Sequence, residues 1–341
     1  MKKLMKSLTA ITVALTISFA VVGCSSTKEK EEPSKETKTE KEFSVGIVLG
    51  EGGANDQSFN QSSIEGLEKA KKELGIGGTY LEATQDADYV PNIEIFIDKK
   101  IDLIIGVGYT TSDAMLEAAK AYPDTKFVMI DHNYKEDSIE IPANMMCVTF
   151  DEKEAAYLVG VIAAKMSETD KIGFIGGMKI PNISRFESGF NKGVKAANPN
   201  ATVVSQYANS FDDASLGKSI AAQMYSNGAD VIFSAAGNVG TGAIEVAKEQ
   251  NKYAIGVDMD QNSMAPDNVI TSAMKRVDIG VLDIIKKTMD DKFEGGNVVV
   301  YGLKDEAVGI APSTDKNVPK EILDLVKEEQ QKIIDEKIIL K

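Results

Sequence analysis

The chain is predicted to be α/β, with two tandem doubly wound parallel-sheet lobes joined around a hinged cleft. Three observations predict this. From Phe43 onward, short β-branched runs alternate with longer amphipathic stretches, the pattern of βαβ units, which excludes an all-α or all-β domain. Sliding the sequence on itself by 127 residues sets Val45-Gly46-Ile47-Val48 on Ile172-Gly173-Phe174-Ile175, Phe59 on Phe186, Gly66 on Gly193 and Asp131 on Asp258, so the units repeat as two similar lobes. The 341 residues, 43% of them hydrophobic, supply apolar surface for about two domains.

The N-terminus is a processing segment. Lys2, Lys3 and Lys6 precede an apolar stretch, 8–22, too short to span a bilayer comfortably, which leads to Val21-Val22-Gly23-Cys24. This resembles a bacterial lipoprotein signal, with 1–23 removed and Cys24 becoming the lipid-modified first residue of the mature chain. Residues 25–42 hold five Lys, six Glu, one Pro and no large apolar side chain, so 24–42 is expected to be a disordered tether.

The folded part follows. Lobe 1 is expected over 43–150 plus about 275–310, and lobe 2 over 151–274 plus about 311–341. The chain would cross near Phe150, near Met274 and a third time around 309–313. Strands are expected at 43–49, 103–107, 127–130 and 147–150 in the first lobe, and at 171–175, 202–207, 231–235, 254–257 and 270–274 in the second. Between them, 63–74, 112–121, 152–166, 186–197, 214–227 and 242–250 repeat apolar residues three and four apart and are expected to be helices.

Composition removes several function classes. Lys and Arg number 38 against 52 Asp and Glu, a net charge of −14, and no basic cluster with interleaved aromatics follows the first thirty residues, so nucleic acid is not a partner. Two Cys and one His make neither a structural zinc site nor a Cys-x-x-Cys pair, and no metal is expected. Gly237-x-x-Gly240-x-Gly242 is not the dinucleotide fingerprint, no Walker sequence occurs, and no cofactor is expected.

The repeat also selects a site, because ligands of doubly wound sheets bind outside the carboxyl ends of the strands. After the first strand of each lobe comes a glycine-rich loop that leads to a Phe: Phe59 after 50–58 and Phe186 after 176–185. Each Phe precedes a Gly by seven residues. A lone Phe is usually a core anchor. Two at matched places beside such loops suit a sandwich around a flat ligand, with offset stacking worth about 1 kcal/mol per ring. Asp131 and Asp258 end matched strands, where a carboxylate either caps the next element or accepts the vicinal hydroxyls of a sugar. The pair favours the ligand. The loop of small residues around Gly237 lets backbone N–H groups approach, Lys275 follows a strand end as the cation of the cleft, and His132 reads as incidental.

On these residues the chain resembles the basic membrane protein family of nucleoside-binding lipoproteins. The resemblance is carried by Asp56-x-Ser58-Phe59-Asn60 with Gly66, Arg185-Phe186-Glu187-Ser188-Gly189-Phe190-x-x-Gly193, Gly256-Val257-Asp258 and Cys24. It implies a periplasmic-binding-protein fold of type I and a non-enzymatic receptor, a monomer, that captures a nucleoside, a purine by preference, for the permease and ATPase of an ABC importer on other chains. It also implies lipid anchoring through Cys24 at the extracytoplasmic face of the cell membrane. By position it gives stacking to Phe59 and Phe186, the base edge to Asp56 and Asn60, and the ribose to Asp131, Gly237, Asp258 and Lys275. Stacking and carboxylates would equally serve riboflavin or a sugar. A sensor presenting its closed form to a membrane kinase, and a nucleoside hydrolase, complete the alternatives.

Overall fold

The computed structural model describes residues 42–340, so the expected signal peptide, Cys24 and all but the last residue of the expected tether lie outside the described residues. The described residues form two six-stranded sheets. The first contains β1 (Ser44–Val48), β2 (Gly77–Leu81), β3 (Leu103–Val107), β4 (Lys126–Ile130), β5 (Met145–Phe150) and β11 (Val298–Tyr301), in the order β11-β5-β4-β3-β1-β2, every pair parallel. The second repeats this order with β6 (Lys171–Gly176), β7 (Thr202–Tyr207), β8 (Val231–Ala235), β9 (Tyr253–Asp258), β10 (Val269–Lys275) and β12 (Val308–Ile310), as β12-β10-β9-β8-β6-β7; only β12 runs antiparallel.

The central strands are continuous apolar runs because helices cover both faces. In β3, Leu103, Ile104, Ile105 and Val107 are all fully buried. The helices of the first lobe are α1 (Phe59–Leu74), α2 (Tyr89–Asp98) and α3 (Ser112–Ala121). Those that follow are α4 (Glu152–Met166), α5 (Pro181–Ala197), α6 (Ala214–Ser226), α7 (Asn238–Glu249), α8 (Val277–Met289) and α9 (Lys320–Ile334). Helices α4 and α5 pack through glycine: a Cβ on Gly193 would come within 2.0 Å of the Tyr157 carbonyl oxygen.

Three helix starts differ from expectation, among them α7, which begins at Asn238 rather than 242. α1 begins at Phe59 rather than residue 63, and α5 at Pro181 rather than 186. Their first turns are polar, Phe59-Asn60-Gln61-Ser62 and Pro181-Asn182-Ile183-Ser184, so apolar periodicity does not reveal them, and the Pro at the first helical position sets its φ in advance. Phe59 therefore opens its helix, whereas Phe186 is the sixth residue of its own. The two rings thus do not occupy equivalent helix positions, contrary to the expectation from the repeat.

The chain passes between the sheets three times: from Phe150 into α4, from Lys275 into α8, whose partner is α1, and between Tyr301 and Val308. The third crossing comes earlier than the expected 309–313, because 308–310 already pairs with β10. The crossings lie side by side. Asp151 N–H donates to Tyr301 O (2.9 Å), Leu303 N–H to Glu154 Oε2 (2.7 Å), and Arg276 N–H to Ala307 O (2.8 Å).

Candidate functional site

In each sheet the strand order reverses beside the first strand, between β1 and β3 and between β6 and β8, which is where ligands bind in such folds. The loops leaving these strand ends border one cleft that opens to solvent and is lined from both sheets. Asp56, Phe59, Asn60, Asp131, Phe186, Gly237, Asp258 and Lys275, the residues selected in the sequence, all border it.

Asp56 ends the loop after β1 and is 3% exposed. Its carboxylate accepts from the N–H groups of Ser58 (3.0 Å), Asn60 (2.8 Å) and Gln61 (3.0 Å), so it caps α1 while bordering the cavity. Burial pushes its carboxyl up, and those N–H groups oppose the shift. Asn60 faces the other way: its Nδ2 is directed at the carbonyls of Gly50 (3.3 Å), Glu51 (2.8 Å) and Gly53 (3.2 Å). Three acceptors around one amide fix its orientation and leave Oδ1 buried without a protein partner.

Asp131 just past β4 and Asp258 at the end of β9 both have the backbone in the left-handed region, φ 73° and 63°. Strain of this kind gathers at functional sites. Asp131 Oδ2 accepts from Asn182 Nδ2 (2.7 Å) and pairs with Lys275 Nζ, while its Oδ1 is buried with no protein partner. Asp258 accepts from Ser58 Oγ across the cleft. Burial pushes the Asp258 carboxyl up to about 7, with Lys275 and Ser58 pulling against it.

Lys275, 2% exposed, is the cation among the bordering residues. Its ammonium lies 4.9 Å from the Phe59 ring centroid, 5.5 Å from that of Phe150 and 5.7 Å from that of Phe186, so both predicted rings share one charge. Burial lowers its pKa, yet the carboxylates of Asp131, Glu152 and Asp258 outweigh this and leave it raised. Phe59 is partly buried; Phe186 is 2% exposed and packs edge-to-face on Phe233, centroids 5.9 Å apart. Gly237 has φ 55°, and a Cβ there would meet the Phe211 carbonyl oxygen at 2.8 Å, so glycine is required on both counts.

Bonds at the cavity rim also join the lobes. Asn238 Nδ2 donates to Gly52 O (3.0 Å), Gln261 Nε2 to Gln57 O (3.0 Å), and Arg185 Nη1 to Glu136 Oε2 (3.4 Å). The arrangement is a closed one.

Residues 43–341 match the family model Bmp, described as ABC transporter substrate-binding protein PnrA-like. The chain belongs to the Bmp family. Among its relatives, the "ABC transporter nucleoside-binding protein BmpA" of Lactococcus lactis subsp. cremoris is 38% identical, over 99% of both chains. "Basic membrane protein A" of Borreliella burgdorferi is 41% identical over 87% of each. A solved structure, an ABC transporter solute-binding protein from Aeropyrum pernix K1, superposes with a TM-score of 0.79 at 29% identity, covering 87% of this chain and 92% of that one. As a Bmp-family member, the chain is a non-enzymatic substrate-binding protein of an ABC transporter with the periplasmic-binding-protein-like fold. No helix among the described residues is long and apolar enough to cross a membrane.

Sequence reasoning missed other residues at this Bmp-family cavity. Asn182 lies in the first turn of α5 and Tyr109 just past β3, and neither was assigned a role; nothing in the sequence spacing shows that Asn182 reaches Asp131. Phe211 borders the cavity from a polar stretch with no counterpart in the repeat. Glu152 looks like an ordinary first-turn helix carboxylate, yet it is fully buried against Lys275 and Arg185.

Proposed function

We propose that this protein captures a nucleoside, a purine by preference, between its two lobes and presents it to a permease and an ATPase on other chains, as a monomer held at the extracytoplasmic face by lipid on Cys24. The observation that carries the reading is one cavity holding two aromatic rings and two buried oxygens, Asn60 Oδ1 and Asp131 Oδ1, that no protein group satisfies. A buried acceptor left unpaired costs about 1 to 3 kcal/mol, so a ligand that donates to both is selected over one that donates to neither. A flat base between Phe59 and Phe186 would offer its donor edge to Asn60 beside Asp56. Its ribose would lie toward Asp131, Asp258 and Lys275, against the bare backbone at Gly237. The name of the Lactococcus lactis relative supports the ligand class. The N-terminal Lys residues, the apolar stretch and Gly23-Cys24 support the anchor.

Closure follows from the connections. Residues 43–150 with 277–301 make one lobe and 152–275 with 308–340 the other, and the three adjacent crossings act as the hinge. The contacts with ligand come from both lobes, so they are complete only when closed.

Asp258→Asn tests the ribose assignment. It keeps the shape and removes the charge, and charge-assisted hydrogen bonds are the strong ones. Calorimetry is expected to show inosine weakened by about tenfold or more, equivalent to about 1.4 kcal/mol, and its 2′,3′-dideoxy analogue little changed. Equal losses would remove the hydroxyl contact from this position. The pH dependence has a definite sign. With a folded pKa of about 7, above the ordinary value, the carboxyl binds a proton in the folded chain that the unfolded chain has released. Its contribution to ligand-free stability therefore declines as pH rises from about 4 to about 7. Ribose hydroxyls donate to the ionised form, so inosine affinity is expected to rise between about pH 6 and 8, and not in Asp258→Asn.

A further inference from the structure

The cavity's cation is supported from behind by a carboxylate that none of the proposed ligand contacts uses. Glu152 is the first residue of α4, just past the first crossing, and it is fully buried. Its Oε2 accepts from Arg185 Nε at 2.7 Å, and its Oε1 lies 3.3 Å from Lys275 Nζ. Arg185, Glu152 and Lys275 all belong to the second lobe and alternate in sign. The row ends at the cavity, where Asp131 of the first lobe supplies the next charge.

The two carboxylates on Lys275 are therefore not equivalent. Asp131 stands at the end of β4 in the other lobe and reaches the ammonium only when the lobes meet. Glu152 travels with Lys275, because α4 and β10 sit in the same lobe. A buried ammonium with no carboxylate beside it gives up its proton or draws in water, since desolvation penalises the charged form. We propose that Glu152 is a positioning residue for ligand capture: it keeps the Lys275 ammonium charged and aimed into the cavity before Asp131 arrives from the other lobe. The nucleoside reading enters only through the choice of inosine as probe.

The charged groups facing Lys275 are Asp131 from the end of β4, Glu152 from α4 and Asp258 from the end of β9; those facing Glu152 are Lys275, Asp131 and Arg185 from α5. Removing Glu152 takes away the same-lobe carboxylate bonded to the ammonium and leaves Asp258, also of the second lobe, as the remaining carboxylate that does not depend on closure. Burial pushes the Glu152 carboxyl itself up, and the two cations pull it back.

Glu152→Gln is expected to weaken inosine binding about ten- to a hundredfold, the size of losing a hydrogen bond to a charged group. The ratio of wild-type to variant affinity should widen from about pH 8 to 10, a ratio in which the ionisation of inosine itself cancels. A variant that matches wild type in affinity and pH profile overturns the proposal. In the Lys275→Met background, Glu152→Gln is expected to add little, since it acts through the ammonium; a fully additive loss also overturns it. Glu152→Asp keeps the charge but shortens its reach to the ammonium and is expected to give a smaller loss of the same pH form, so it carries both readouts if Glu152→Gln does not fold. The ligand-free protein supplies an independent measurement. The Lys275 Nζ titration, followed by NMR, is expected to move to lower pH in either variant, and a titration that stays in place refutes the proposal. If it moves while wild type binds no inosine, the nucleoside reading fails and the positioning role stands.

Discussion

Phe186→Ala is expected to lower ligand affinity and fold stability together. The ring is 2% exposed, packs edge-to-face against Phe233 and borders the cavity on its other side. Truncation should remove one side of the proposed base sandwich, about 1 to 3 kcal/mol of affinity. It should also leave a hole against Phe233 that costs about 3 to 5 kcal/mol of stability, the usual result for a core Phe. Phe59→Ala separates the two effects: Phe59 is only partly buried, so it should lose affinity with a much smaller drop in melting temperature. Calorimetry and chemical denaturation of the ligand-free variants check both. Unchanged affinity in Phe186→Ala, with stability lost, would make Phe186 a core anchor and nothing more.

Lys275→Met has the other large effect. Methionine fills the space beneath the three rings but leaves Asp131 and Glu152 buried without their shared cation. Breaking a buried pair from one side costs about 3 to 5 kcal/mol, because the remaining charge is uncompensated. Burial then raises the carboxyl pKa values of the orphaned pair, so the folded variant binds protons that the unfolded chain releases. Its stability should fall as pH rises from about 5 to 8, more steeply than that of wild type. Melting curves across that range check this, and a Lys275→Met protein as stable as wild type at pH 8 would show that the ion pairs do not hold this site together.

The fold was legible where elements are long and buried on both faces. The strand pattern and the 127-residue repeat located the central strands of both sheets, and the repeat's pairing of Asp131 with Asp258 reflects a shared left-handed backbone at matched strand ends. Of the four edge strands only β7, expected at 202–207, was legible. β2 reads Gly-Gly-Thr-Tyr-Leu with no fully buried residue, β12 has three residues, and β11 pairs on one side only, so none carries the apolar run that marks a central strand. The cavity was readable from strand ends and glycine loops, which depend on topology. Contacts fixed by side-chain reach, Asn182 to Asp131 across the cleft and Glu152 to Lys275 within the second lobe, leave no local trace, since residues 51 and 123 positions apart have no common period.

The central claim is ligand class, and isothermal titration calorimetry of the purified full chain tests it most directly. Inosine, adenosine and guanosine are to be compared with cytidine, ribose and riboflavin at one pH and salt concentration. Saturable binding of at least one purine nucleoside at one site per chain is expected, with cytidine weaker and free ribose weaker still, because only a purine fills both rings and reaches both unsatisfied oxygens. Ribose or riboflavin binding more tightly than every purine nucleoside, or no purine nucleoside binding at all, would contradict it.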